Sequence, residues 1–266
     1  MIEVNFTEKE NFDFYDLVEI MKFLRAPDGC PWDKVQTHES IRSNFIEETY
    51  EVIEAIDNKD SGLLKEELGD VMLQVVFHSE MSAEENEFDI NDVINDVCKK
   101  LVERHPHVFG DVKAENSDDA LKSWDNVKMA TKAQKKQSEA MDSVCRALPS
   151  LMRAEKIQKK AAKVGFDWES ADGAMDKVFE EADELKRAVK SGDEALMSEE
   201  LGDLLFSVVN VSRFIKVDSE KALYDACDKF TDRFKKLENL ADERGIDIKT
   251  VSLSQLDSLW EEVKKI

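Results

Sequence analysis

The sequence predicts an all-α protein made of two tandem helical bundles, and three observations carry that prediction. Helix breakers are scarce: 266 residues hold only 9 Gly and 4 Pro, while Glu, Lys, Ala and Leu, which lose least on entering a helix, are abundant. Apolar residues recur three and four apart, the period of a helix face. The chain also repeats itself. Residues 47–76 align without a gap on residues 180–209, at an offset of 133, with thirteen of thirty positions identical; chance gives roughly two or three in so biased a composition.

The elements follow in order. Residues 41–59 carry Phe45, Val52, Ile53 and Ile56 at helical spacing, and Asn58-Lys59-Asp60-Ser61-Gly62 interrupts the pattern. Residues 63–81 resume it, with Leu68, Met72, Val75 and Val76 on one face. In the second copy, residues 174–190 and 194–214 flank Ser191-Gly192-Asp193. Connections this short make antiparallel helix hairpins. Outside the hairpins the same features recur with small shifts: Lys100 and Arg104 answer to Lys229 and Arg233, and Trp124 and Lys128 to Trp260 and Lys264. Upstream, Gly29-Cys30-Pro31-Trp32-Asp33 loosely matches Gly165-Phe166-Asp167-Trp168. Residues 130–150, rich in Lys, Gln, Ser and Ala, read as a helical tail or linker. The expected organisation is therefore a domain at 1–135, a linker at 136–150 and a second domain at 151–266.

Charge narrows the function. Fifty-nine acidic residues against 37 basic ones leave a net charge of −22. That argues against duplex nucleic acid as a ligand, since phosphate binding needs an excess of Lys and Arg on some face. It suits a protein that carries metal ions on carboxylates, and equally one that charge simply keeps soluble. Cys30, Cys98, Cys145 and Cys227 are scattered without a C-x-x-C pair, as expected of reduced thiols rather than a disulfide or zinc framework. With no basic region followed by an apolar run at the N-terminus and no stretch of ~18 apolar residues, a cytoplasmic protein without membrane contact is expected.

The acidic hairpin carries the chemistry. A lone E-E-x-x-E is weak evidence, because roughly three are expected by chance in this composition, and a solvated charged face is its ordinary reading. The composite is stronger. Glu48 and Glu51 lie three apart, as do Glu67 and Asp70, so each pair shares a helix face. From Glu51 to Glu67 is 16 residues, and from Glu184 to Glu200 is also 16. A hairpin can thus gather four carboxylates twice: Glu48, Glu51, Glu67 and Asp70, then Glu181, Glu184, Glu200 and Asp203. Such groups raise one another's pKa unless cations neutralise them, and oxygen donors alone select hard ions, Mg²⁺ or Mn²⁺. All four histidines (His38, His78, His105, His107) lie in the first half, which rules a His-containing zinc or di-iron centre out of the second copy. Gly69 and Gly202 sit beside the carboxylates at a cost of roughly 1 kcal/mol each against alanine. Close approach of a helix backbone or a substrate would account for them.

These residues resemble a known family. Gly29-Cys30-Pro31-Trp32-Asp33-Lys34, Glu47-Glu48-Thr49-Tyr50-Glu51, Glu67-Leu68-Gly69-Asp70, His105-Pro106-His107-Val108-Phe109-Gly110, Val164-Gly165-Phe166-Asp167-Trp168 and Glu199-Glu200-Leu201-Gly202-Asp203 are similar, in order and over nearly the whole chain, to the two-domain MazG proteins. The resemblance implies an all-α NTP pyrophosphohydrolase that is Mg²⁺-dependent and homodimeric, and the oxygen donors leave Mn²⁺ as a substitute. Its implied substrates are NTPs and dNTPs, cleaved to the monophosphate and pyrophosphate. It implies metal ligation and catalysis by Glu181, Glu184, Glu200 and Asp203. Lys177, Glu180, Lys229, Arg233, Trp260 and Lys264 then contact substrate, and Glu180 doubles as a candidate catalytic group. The basic pairs are also readable as surface charges, and the tryptophans as core. The first copy, with Glu48, Glu51, Glu67 and Asp70 for metal and Lys100, Arg104, Trp124 and Lys128 for substrate, reads as a second active site or a degenerate one. The second copy has the stronger claim, because Lys177 there matches Asn44. A narrow dUTP or dCTP pyrophosphatase, and a non-catalytic helical nucleotide-binding or interaction protein, remain alternatives.

Overall fold

The computed structural model describes residues 6–110, 112, 116, 119, 120, 123, 124, 127 and 137–265. The chain divides into two compact units, residues 1–131 and 132–266, and among the described residues there is no strand.

In the first unit, helix α1 (Phe14–Arg25) starts at Asp13, whose carboxylate accepts from the Tyr15 and Asp16 amides while Asp16 reaches back. This reciprocal capping satisfies amides that the first helical turn leaves unpaired. Helices α2 (Arg42–Asn58) and α3 (Ser61–Glu84) form the expected hairpin. The break is tighter than the sequence pattern implies. Lys59 turns the chain with φ of 55°, and the Asp60 carboxylate accepts from the Gly62 and Leu63 amides, so Ser61 and Gly62 open α3 instead of lying in the loop. Helix α4 (Ile90–Arg104) starts from a second reciprocal cap at Asp89, and α5 (Pro106–Phe109) is a single turn. His105 Nδ1, 2.6 Å from the Leu101 carbonyl, belongs to that structural turn. The core joins α1, α3 and the start of α4 through Val18, Met21, Val76, Phe77, Met81 and Ile90.

The Trp32 loop between α1 and α2 is held by backbone contact. A side chain at Gly29 would place its Cβ 2.3 Å from the Phe23 carbonyl oxygen. Arg25 donates to the Asp33 carbonyl at 2.6 Å and forks onto both carboxylate oxygens of Glu84. From the same loop, His38 meets His78 of α3 at 2.7 Å between their Nδ1 atoms, and burial pushes the His78 imidazole below its usual pKa.

The second unit repeats the plan with α6 (Gln137–Asp142), α7 (Ser150–Ala162), α8 (Ala171–Ser191), α9 (Glu194–Phe214), α10 (Ser219–Glu243) and α11 (Leu253–Val263). Gly192, at φ of 73°, ends α8, and the Asp193 carboxylate caps α9. Asp167 of the Trp168 loop forms a fork with Arg213 of α9. Leu237 and Ala241 of α10 pack with Leu259 and Val263 of α11 in a cluster that Trp260 borders. Within the tail, residues 130–136 lie outside the described residues, and Gln137–Asp142 is helical and packs on α7.

The apolar face of the first hairpin is divided: Val76 is buried, but Ile53, Ile56, Leu68 and Met72 are exposed, as are Leu201 and Leu205 of the second. One sequence expectation is corrected here: among the described residues no neighbouring backbone explains Gly69 or Gly202, since a Cβ at either would meet nothing within 4 Å.

Candidate metal centre

Each hairpin brings its carboxylates together. In the first, Glu48 of α2 meets Glu67 and Asp70 of α3, each offering an oxygen within 4.8 Å of the others. In the second, Glu181 and Glu184 of α8 meet Glu200 of α9 within the same limit. Glu67 and Glu181 are buried, at 8% and 5% exposure. The fourth member stands at the edge of each trio. Glu51 adds its negative charge beside Glu48 and Glu67, and Asp203 does the same beside Glu200.

The electrostatics follow from that crowding. Burial first, then Asp70, Glu51 and Glu67, push the Glu48 carboxyl above its ordinary 4.5. Glu67 is raised by burial and then by Glu51, Glu66 and Asp70. Glu200 is raised by burial, then by Glu184, Glu181, Asp203 and Glu199. Burial disfavours a charged carboxylate, and like charges nearby compound it.

The second group contains cations that, among the described residues, the first lacks. Lys177 lies 2.6 Å from Glu181 and 3.0 Å from Glu180, and these partners raise its pKa. Arg187 reaches Glu184 at 3.1 Å. Sequence reasoning passed over Arg187, although the gapless alignment sets it opposite Glu54, a reversal of charge one helical turn from a ligand position.

The donor set fits a hard divalent ion. Metal–oxygen bonds of about 2.1 Å in an octahedron separate ligand oxygens by about 3–4 Å, close to the spacing of the trio, whose oxygens lie within 4.8 Å of one another.

The basic and aromatic residues fall less tightly. Arg104 stacks on Trp124 with its guanidinium carbon 5.2 Å from the ring centroid, while Lys100 is exposed. In the second unit Phe230, between Lys229 and Arg233 in sequence, meets Trp260 at 5.1 Å. Lys229 is exposed and Arg233 half-buried on α10, and among the described residues neither forms an ion pair with the carboxylate trio. Lys264 pairs with Glu261 at 2.5 Å. Lys128 lies outside the described residues.

Comparison with known proteins gives the same two hairpins a shared identity. The model of the MazG nucleotide pyrophosphohydrolase domain matches twice, over residues 36–109 and 169–238. These spans contain both carboxylate groups, and Trp124, Lys128, Trp260 and Lys264 fall beyond them. The chain is 47% identical over 251 residues to the nucleoside triphosphate pyrophosphohydrolase/pyrophosphatase MazG of Thermotoga maritima, spanning 94% of this chain and 95% of that protein. It is 45% identical over 252 residues to the nucleoside triphosphate pyrophosphohydrolase of Escherichia coli K12, spanning 94% and 96% respectively. An uncharacterised Bacillus subtilis protein, YabN, is 46% identical over 254 residues, which make up 52% of its length. With both repeats matched by one domain model and these relatives aligned over more than nine-tenths of the sequence, the chain belongs to the MazG nucleotide pyrophosphohydrolase family.

Proposed function

We propose that this protein is a nucleoside triphosphate pyrophosphohydrolase that uses Mg²⁺ at the second carboxylate group, accepts Mn²⁺ in its place, and acts on NTPs and dNTPs without strong choice of base. The trio of Glu181, Glu184 and Glu200 within 4.8 Å, in a chain of this family, is the observation that carries the reading. Mg²⁺ bound there would act as a Lewis acid on the α-phosphoryl group and lower the pKa of a water. Glu181, Glu184, Glu200 and Asp203 hold it. Lys177, Lys229, Arg233 and Lys264 supply positive charge to the triphosphate, whose transfer chemistry depends on positioning and charge neutralisation. Glu180 orients Lys177 through their 3.0 Å contact and is the carboxylate outside the trio through which the water's proton can leave. Trp260 offers a ring face that stacks on any base, which favours broad over narrow specificity.

The experiment is pyrophosphate release across ATP, GTP, CTP, UTP and their deoxy forms, with Mg²⁺ and with a chelator. All should turn over within about ten-fold of one another, a spread that stacking without base-edge hydrogen bonds leaves small, and all should stop on chelation. Turnover of dUTP or dCTP alone would favour the narrow enzyme.

Metal binding should also register as stability. The raised carboxyls of Glu48, Glu67 and Glu200 favour the protonated fold. The ion-free protein therefore loses stability as pH rises from the ordinary 4.5 through their raised values. A bound dication reverses this, because it favours the ionised form. Added Mg²⁺ is expected to raise the melting temperature by several degrees at pH 7.5, as saturating ligand does, and to do little near pH 4.5. No response at pH 7.5 would count against the site.

Assembly belongs to the same proposal. Exposed Ile53, Ile56, Leu68 and Met72 in one hairpin, and separately Leu201 and Leu205 in the other, support a homodimer that covers such faces, since large apolar side chains grouped on a helix hairpin are seldom left in water. Sedimentation equilibrium should give twice the 30.4 kDa chain mass. A cytoplasmic setting, where nucleoside triphosphates are held, completes the proposal; among the described residues no helix is long and apolar enough to cross a membrane.

A further inference from the structure

The two carboxylate groups share one plan but not one charge. The gapless repeat sets Lys177 opposite Asn44 and Arg187 opposite Glu54. In the second unit, therefore, an ammonium lies 2.6 Å from Glu181 and a guanidinium 3.1 Å from Glu184. In the first unit an amide and a further carboxylate stand at those positions. Glu181 is 5% exposed and Lys177 only 33%, so this pair is half-sheltered and more strongly held than a surface pair of the same spacing. Arg187, 67% exposed, contributes screening alone.

We propose that Lys177 is a built-in counter-ion that competes with divalent metal for Glu181, so the second group takes metal weakly until nucleotide phosphates draw the lysine away. The inference rests on reading Glu181, Glu184 and Glu200 as metal ligands. A cation entering that trio competes with the ammonium for the charge of Glu181 and is repelled by it, because the 2.6 Å ion pair already holds one carboxylate oxygen. A triphosphate gives the displaced ammonium new oxygens to bind, so metal and nucleotide each favour the other's binding at this site. In the first group, among the described residues, no lysine pairs with the trio, and bare metal binds there more tightly. Lys177 thus makes the second site load its metal together with its substrate.

The test is calorimetry with Mn²⁺ alone on the full chain, Mn²⁺ being held more tightly than Mg²⁺ by such ligands. Wild type should show a tight and a weak class of site. Lys177→Asn, which copies the first group, should tighten the weak class about ten-fold or more, the size of one sheltered charge-assisted pair, and leave the tight class alone. Asn44→Lys should weaken the tight class, which covers the case that Lys177→Asn fails to fold. A non-hydrolysable ATP analogue should tighten the weak class more in wild type than in Lys177→Asn. An unchanged or weakened second class in Lys177→Asn would overturn the inference while leaving the proposed function standing, provided Glu200→Gln still removes that class. If Glu200→Gln removes no class, the metal reading falls and the inference with it.

Discussion

Replacing Glu200 by Gln is expected to lower pyrophosphate release at saturating Mg²⁺ and nucleotide by about 1,000-fold, the scale set by removing a transition-state electrostatic group. The amide keeps the shape of the side chain but loses the charge that a hard cation needs. Of the trio, Glu200 is the member that α9 contributes, while Glu181 and Glu184 both come from α8; Asp203, at the edge, does not replace it. Glu67→Gln, the matched change in the first unit, should cost less than about three-fold, since the substrate-side lysine at position 177 has only Asn44 as its counterpart. Steady-state assays of the two variants beside wild type decide the matter. Equal losses would mean that both copies work, and the asymmetry drawn from Lys177 would be wrong.

Gly29→Ala should be the most damaging single change of a residue outside the carboxylate groups. Its new Cβ would lie 2.3 Å from the Phe23 carbonyl oxygen and 2.4 Å from that of Leu24, both backbone atoms that cannot rotate aside. The loop must move, and with it the Cys30 amide bonded to the Leu24 carbonyl at 2.8 Å and the carbonyls that Arg25 holds. A loss of about 2–4 kcal/mol of stability in the first unit is expected, the range typical of forced backbone displacement. Denaturant unfolding measures it; Gly69→Ala, whose Cβ meets nothing within 4 Å of its own chain, is the control.

Much of this was legible in the sequence because the protein states its plan twice. The constant offset of 133 fixes both hairpins, and helix α9 begins and ends where the apolar period does. The carboxylates were legible because three-residue spacing on a helix and a short hairpin are local geometry. Other features depend on what lies across space. Ser61 and Gly62 look like a break by residue type, but the Asp60 side chain caps the helix two residues earlier. The stripe of Ile53, Leu68 and Met72 announces an apolar face without saying what covers it. Lys229 and Arg233 share a helix face by spacing, and no spacing rule gives the distance from α10 to a trio on α8 and α9. Arg187 could have been found by comparing the mismatches of the repeat instead of its identities.

The central claim is that water attacks the α-phosphorus of a nucleoside triphosphate under the control of the second carboxylate group. Phosphorus NMR of ATP hydrolysed by the protein with Mg²⁺ in ¹⁸O-enriched water tests it most directly. AMP carrying the label, with unlabelled pyrophosphate, is the predicted outcome; ADP with orthophosphate, or label in the pyrophosphate, would contradict it.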